Sequence, residues 1–222
     1  MTINYDRKIT WDNFFKILTK YREQFYYGNP PEERYYLEVY KKTYNLSIEN
    51  KIAYFSDILL FLNRWKCRFK KETSIIVLTN WTLKNLNNIN KLAGLSIETI
   101  NLSNEGSLID NIYNSLIDTK NIGIHNMSDA CASKFLHILM PELFVMWDKN
   151  IKPYKSYPYS EFLEVMQKFA NDIKNKFIEK YPNQNREDFL QNELRYPIRK
   201  TFAKYIDEYN WYIAFGYARI QY

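Results

Sequence analysis

Of the 222 residues, 46% are apolar and 25% charged, the balance of a globular chain long enough to bury a core without disulfides or metals. The net charge of +6 suits a nucleic-acid partner and suits a lysine-rich solvated surface equally well. Five Gly and seven Pro argue against a loop-rich all-β fold, and Cys67 and Cys131, with no CxxC, argue against a disulfide framework and for a reducing compartment.

The start, MTINYDRKIT, is too polar for a signal peptide. The longest apolar stretch, Ile58 to Leu62, is far too short to span a bilayer. The expected location is the cytoplasm, with no membrane contact. Aromatics reach 18%, with 20 Tyr and 14 Phe; a ring with a polar tip suits half-buried surface and groove lining.

Thr10 is placed to cap a helix over about 11–26, with Phe14, Phe15, Leu18 and Tyr21 on one face. Gly28-Asn29-Pro30 breaks it. Pro31-Glu32-Glu33 has the proline and acids of a helix start, and Tyr36, Leu37, Tyr40 and Tyr44 continue it. Ser47 precedes a long helix over about 48–69, whose apolar stripe (Ile52, Phe55, Leu59, Leu62, Trp65) marks it as central and buried. A helix over about 73–92 ends at Gly94; its first residues, Ile75 to Leu78, also read as a short strand, but Leu83, Leu86, Ile89 and Leu92 continue at helical spacing. Residues 96–102 form a short helix or turn. Ser107 caps a helix over 108–116, and Ser128 or Asn126 starts another that runs to Leu139 before Pro141. Further helices span about 160–180 and 187–212, the latter interrupted near Pro197. The expected fold is all-α, eight or nine helices in a single domain over 1–222; an N-terminal lobe to about residue 70 is the alternative division, though no linker marks it.

Residues 123–151 carry the chemical signal. A turn leads into a helix with small residues at Ala130, Ala132 and Ser133, which let another backbone come close. A Pro-containing loop follows, then the apolar run Phe144-Val145-Met146-Trp147 ending in Asp148. A carboxylate at such a boundary is partly desolvated and so chemically noticeable.

This segment resembles the helix-hairpin-helix DNA glycosylase superfamily. That family's pattern is a hairpin, Leu-Pro-Gly-Val-Gly-x-x-Thr-Ala, then a helix, then an apolar run ending in the catalytic Asp. Asn126-Met127-Ser128 falls on Gly-Val-Gly, Cys131-Ala132 on Thr-Ala, and Asp148 on the catalytic Asp, without gaps. Both hairpin glycines are replaced; Asn tolerates left-handed backbone and Ser caps the helix that follows. No cysteine cluster for an iron–sulfur centre is present. Bifunctional members carry a Schiff-base Lys where this chain has Ala130, so the resemblance implies a monofunctional enzyme; Lys134 lies one helical turn on.

The resemblance implies a multi-helix DNA-binding protein that excises a base. Asp148 would stabilise the sugar cation. Asn126, Ser128, Lys134, Lys149 and Lys152 would contact nucleic acid, and Trp81, Trp147, Tyr154 and Tyr157 are the candidates for stacking on an extruded base. No cofactor is implied, and no metal: His125 and His137 lack partners at ligand spacing. Cys131 reads as a buried small hydrophobe. Two basic stretches, one at Lys149, Lys152 and Lys155, the other at Arg195, Arg199, Lys200 and Lys204, are each placed to track phosphates or to form a solvated face. Phe69-Lys70-Lys71 is too short to signify.

Other readings stay open. Asp148 is also a good N-cap for a helix beginning at Lys149, and Trp81 and Trp147 also suit the core. A non-catalytic nucleic-acid binder and a helical protein-interaction or regulatory module remain the rival functions. The chain lacks a Walker loop and the GxGxxG, GxSxG and HExxH motifs, which argues against the common nucleotide-binding, hydrolase and zinc-protease classes.

Overall fold

Short polar side chains begin six of the helices. In the computed structural model, which describes residues 9–27, 32–148, 151 and 158–216, Thr10, Ser47, Asn101, Ser128, Asn185 and Thr201 each accept a backbone N–H three residues on. Each such cap satisfies a donor that the first helical turn would leave orphaned. Ten α-helices follow in chain order among the described residues: α1 (Trp11–Tyr21), α2 (Glu32–Thr43), α3 (Ile48–Lys51), α4 (Phe55–Arg64), α5 (Lys71–Leu92), α6 (Leu102–Ile117), α7 (Asp129–Leu139), α8 (Tyr159–Lys180), α9 (Arg186–Glu193) and α10 (Phe202–Trp211). The described residues form helices, turns and loops and no strand, so the chain is all-α.

Two helices differ from expectation. The helix expected over 48–69 is α3, a 3₁₀ turn at Ile52–Tyr54 and α4, and it stops at Arg64. The helix expected over 108–116 with Ser107 as its cap begins six residues earlier, at Leu102, with Asn101 as its cap. Residues 75–78 are helical, within α5.

Helix α4 contacts α2, α5 and α7; α6 lies along α8; α1 packs against α8 and α10. One hydrophobic core joins Phe14, Leu37 and Phe55 from the first seventy residues to Phe135, Phe162 and Phe202. Gly106 lets α6 come close to α8: a Cβ there would stand 3.4 Å from Ser160 Cβ. Asp110 on α6 then receives both the Ser160 N–H (2.9 Å) and the Ser160 hydroxyl (2.6 Å), satisfying the first turn of α8 in place of a local cap.

A buried ionic cluster ties α2 to α10. Glu33, Lys200, Lys204, Asp207 and Glu208 are all buried. Lys204 Nζ lies 2.9 Å from Asp207, 3.2 Å from Glu33 and 3.5 Å from Glu208; Lys200 Nζ pairs with Glu33 at 3.0 Å and also with Glu208. Burial alone would raise the Glu33 carboxyl, but the two ammoniums outweigh it and hold it low. At Glu208 burial wins and the carboxyl is pushed up. Lys200 and Lys204, read from sequence as candidate phosphate contacts, therefore face inward, because Glu33 from the distant α2 and Asp207 and Glu208 of α10 meet them there. Arg199 of the same stretch pairs with Asp188 at 3.2 Å.

His137 on α7 is buried beside this cluster. Its Nδ1–H donates to the Phe144 carbonyl at 2.5 Å, and its Nε2 accepts from the Tyr36 hydroxyl at 2.9 Å. Burial, with help from the nearby Lys204 and Lys51 charges, holds the imidazole down at about 3. The unfolded chain takes up this proton near 6.5, so the neutral imidazole's contribution is fully present above about 6.5 and is lost as pH falls toward 3. The raised Glu208 carboxyl has the opposite sign: its contribution is lost as pH rises through its raised value. The difference between wild type and His137→Gln removes the Glu208 slope. The stability advantage of wild type is expected to shrink by about 1.4 kcal/mol per pH unit from pH 6.5 to 4.5. Urea melts of both proteins at three pH values check this; parallel pH profiles would rule out a buried neutral His137.

Candidate functional site: an aromatic cleft holding Asp148

The segment after α7 is non-helical and apolar, with Leu143 through Trp147 all buried. An extended chain inside a core must have its backbone groups satisfied by side chains. Three supply this. His137 takes the Phe144 carbonyl, Tyr159 donates its hydroxyl to the Val145 carbonyl, and the Ser133 hydroxyl accepts from Trp147 N–H at 2.9 Å and reaches the Trp147 carbonyl at 3.1 Å. The small residue at 133 is what permits this approach. Pinned at three places, the chain delivers Asp148, half-buried, to the wall of a cleft of about 200 Å³.

The rest of the wall comes from distant parts of the chain. Tyr21 and Phe25 lie at the end of α1 and the π-helical turn Arg22–Tyr26 that continues it. Trp211 and Phe215 lie at the end of α10 and a second π-helical turn, Tyr212–Gly216. Such turns recur at functional sites because they displace side chains from helical register. Arg64, Trp65 and Lys66 come from the end of α4, and Lys134 from α7. Three cations thus share the cleft with one carboxylate.

The rings are preorganised. Trp211 packs edge-on to Phe25 at 4.4 Å and stacks on Phe215 at 4.7 Å. Trp65 lies edge-on to Trp211 at 6.5 Å, and Lys134 Nζ sits 5.4 Å from the centre of the Trp65 ring. The Trp65 Nε1–H is buried and has no acceptor among the described residues. Lys134 is only 8% exposed, so its ammonium acts from a partly desolvated position where its field is stronger than in water.

Other expected site residues fall elsewhere. Trp147 is buried among Tyr113, Tyr159 and Phe162, stacked on Tyr159 at 5.3 Å. Trp81 is buried against Phe135 and donates its Nε1–H to Ser115 Oγ at 3.1 Å. Neither lines the cleft; the rings that do are those of Tyr21, Phe25, Trp65, Trp211 and Phe215. Lys149, Lys152, Tyr154 and Tyr157 lie outside the described residues, as does the start of any helix that Asp148 would cap.

Residues 123–128 make a tight connection between a 3₁₀ turn (Asp118–Ile122) and α7. Gly123 has φ +135°, and a Cβ there would come 3.1 Å from Val77, so only glycine fits. Met127 N–H closes the turn on the Ile124 carbonyl at 2.8 Å. Ser128 caps α7. Asn126 donates its side-chain N–H to the Arg68 carbonyl at 2.8 Å, which fastens this connection to the loop that follows α4.

Cys131 is buried, and so is Cys67 across from it on that loop. Hydrogen bonding from the Cys67 thiol, then from Ser128, holds the Cys131 thiol below its ordinary range despite burial. The same contact, together with burial, pushes Cys67 up. Among the described residues no group of three or more His, Cys, Asp or Glu side chains is placed to hold a metal ion, and no helix is long and apolar enough to cross a membrane.

Comparison with protein-family models, curated proteins and solved structures finds no match to this chain.

Proposed function

We propose that this chain binds DNA, takes one extruded nucleotide into the aromatic cleft, and hydrolyses its N-glycosidic bond with Asp148. The observation that supports this reading is the convergence of Asp148, Lys134, five cleft-lining aromatic rings and the cations Arg64 and Lys66 on one cleft. Each part has a task. Bond cleavage develops positive charge on the sugar, and a fixed carboxylate stabilises it. Water adds to the anomeric carbon, the C–N bond breaks with its electron pair on the base, and the water's proton passes by way of Asp148 to the departing base. A base out of its stack needs an aromatic surface in place of its former neighbours; Trp211, backed by Phe25 and Phe215, supplies one. Cations at the mouth hold the flanking phosphates. The resemblance of residues 123–152 to helix-hairpin-helix DNA glycosylases supports the same reading.

The testing experiment is binding of the full chain to duplex DNA holding an abasic-site analogue, against undamaged duplex, at two salt concentrations. Tighter binding to the abasic analogue supports the glycosylase pocket. Equal, salt-sensitive binding points to a nucleic-acid binder without this chemistry. No binding to either duplex sinks the proposal and leaves a protein-interaction module.

A further inference from the structure

The residues Arg64 to Lys71 read Arg-Trp-Lys-Cys-Arg-Phe-Lys-Lys. Exposure alternates along them. Arg64, Lys66, Arg68 and Lys70 face solvent, while Cys67 and Phe69 are buried and Trp65 is half-buried. Lys71, the first residue of α5, is exposed as well. Five cations therefore stand on the outer side of one short connection. Among the described residues none of the five has a carboxylate partner, although the chain pairs other cations, such as Lys42 with Asp57 and Lys180 with Asp12.

A solvated basic loop needs no fixed shape, but this one is held. Lys66 (φ 66°) and Arg68 (φ 58°) occupy the left-handed region, which disfavours residues with a side chain and persists only where surroundings impose it. The Asn63 side chain imposes it twice, donating to the Phe69 carbonyl at 3.0 Å and accepting from Phe69 N–H at 2.6 Å. Cys67 N–H reaches the Leu62 carbonyl at 3.0 Å, and Asn126 holds the Arg68 carbonyl. One end of the loop thus lines the cleft through Arg64 and Lys66, and the other is bonded to the hairpin at Asn126.

We infer that the loop 64–71 is the phosphate-tracking edge of the protein, carrying the backbone of the bound strand from the hairpin to the cleft. Cations set in a row on a fixed backbone, without carboxylate partners among the described residues, lose less entropy on meeting a row of phosphates than cations on a mobile loop, and each contact releases condensed counterions. The contacts are to backbone, so they position the strand without reading its sequence. This inference rests on the DNA-binding reading of the cleft.

The test compares two triple variants of the full chain, each losing three positive charges. One is Arg68→Gln/Lys70→Gln/Lys71→Gln, all outside the cleft. The other is the control Lys41→Gln/Lys84→Gln/Lys91→Gln, at exposed sites on α2 and α5. Dissociation constants for a fluorescent duplex, undamaged or with the abasic analogue, are measured across a salt series. Exposed polar replacements should leave both variants folded, which their thermal melts verify. For the loop variant, the slope of log K against log salt is expected to fall in magnitude by about 2–3, at roughly 0.9 for each phosphate that is no longer neutralised. Affinity for both duplexes should fall by the same factor, about 10–100-fold, while the control keeps the wild-type slope. Wild-type slope and affinity in the loop variant, or an equal loss in the control, would overturn the inference and leave the DNA-binding reading intact. Absence of binding by the wild type would overturn both.

Discussion

Lys204→Met is expected to lower stability by about 3–5 kcal/mol, the loss typical of breaking a buried ion pair from one side. The ammonium is fully buried among three carboxylates, Glu33, Asp207 and Glu208. Methionine fills similar space, so packing is largely kept and the loss is electrostatic. Without Lys204, Glu33 and Glu208 keep only Lys200 and Asp207 loses its paired ammonium, so each acid must either take up a proton or stay charged and unsolvated. The Asp207 carboxyl is already raised by burial and is restrained chiefly by Lys204. A domain of this kind has about 5–15 kcal/mol of stability in total, so the variant sits near the folding threshold. Urea unfolding measures the effect. Adding Asp207→Leu to Lys204→Met should recover part of the loss, because an apolar replacement removes one stranded charge. A single variant that melts like wild type would show that the cluster carries no such weight.

Asp148→Asn is expected to slow base release at least about 100-fold, the scale seen when one preorganised electrostatic partner of a transition state is removed. Asparagine keeps the shape and loses the charge that would face the sugar cation. Binding should persist, since the substitution removes the one carboxylate among Arg64, Lys66 and Lys134 in the cleft. The loss should appear in the single-turnover rate with little change in the dissociation constant, because the interaction belongs to the transition state. Single-turnover excision across a panel of damaged bases reads it. Wild-type rates in the variant would remove Asp148 from the chemistry. A wild type that binds DNA but releases no base would move the protein to the non-catalytic reading.

Part of this site was legible because its determinants are local. The apolar run 144–147 ending in an acid, the small residue at 133 and the cap at Ser128 all act within about twenty residues, and the extended segment to Asp148 is built from them. The helices α1, α5 and α8 were legible for the same reason: their buried positions recur at helical spacing. The break after Arg64 was not. The stripe Ile52, Phe55, Leu59, Leu62 keeps its spacing across the 3₁₀ turn, and no Gly or Pro marks the left-handed residues Lys66 and Arg68. Their conformation is imposed by Asn63 and Asn126, the second a contact 58 positions away. The cationic edge was therefore missed, and Phe69-Lys70-Lys71 looked too short to matter. The aromatic wall was missed for a related reason. Tyr21, Phe25, Trp211 and Phe215 come from opposite ends of the chain, and residue type alone does not separate them from core rings such as Trp81 and Trp147. Lys200 and Lys204 looked like surface cations because their carboxylate partner Glu33 is remote in sequence.

That remoteness also sets an order of events during synthesis. Glu33 and Lys200 are separated by 167 positions, so on the ribosome the carboxylate emerges long before either ammonium that neutralises it. Until α10 is made, burying Glu33 would strand a charge, and α2 has reason to stay hydrated. The middle of the chain, where α4, α5, α6 and α7 contact one another in sequence, can collapse first through local contacts. The segments around α2 and α10 are then expected to close last and together. Since Trp211 and Phe215 lie at the end of α10 and in the turn that follows it, the cleft can close only once that segment has been made, and a chain cut before α10 is expected to have the cationic edge without the pocket.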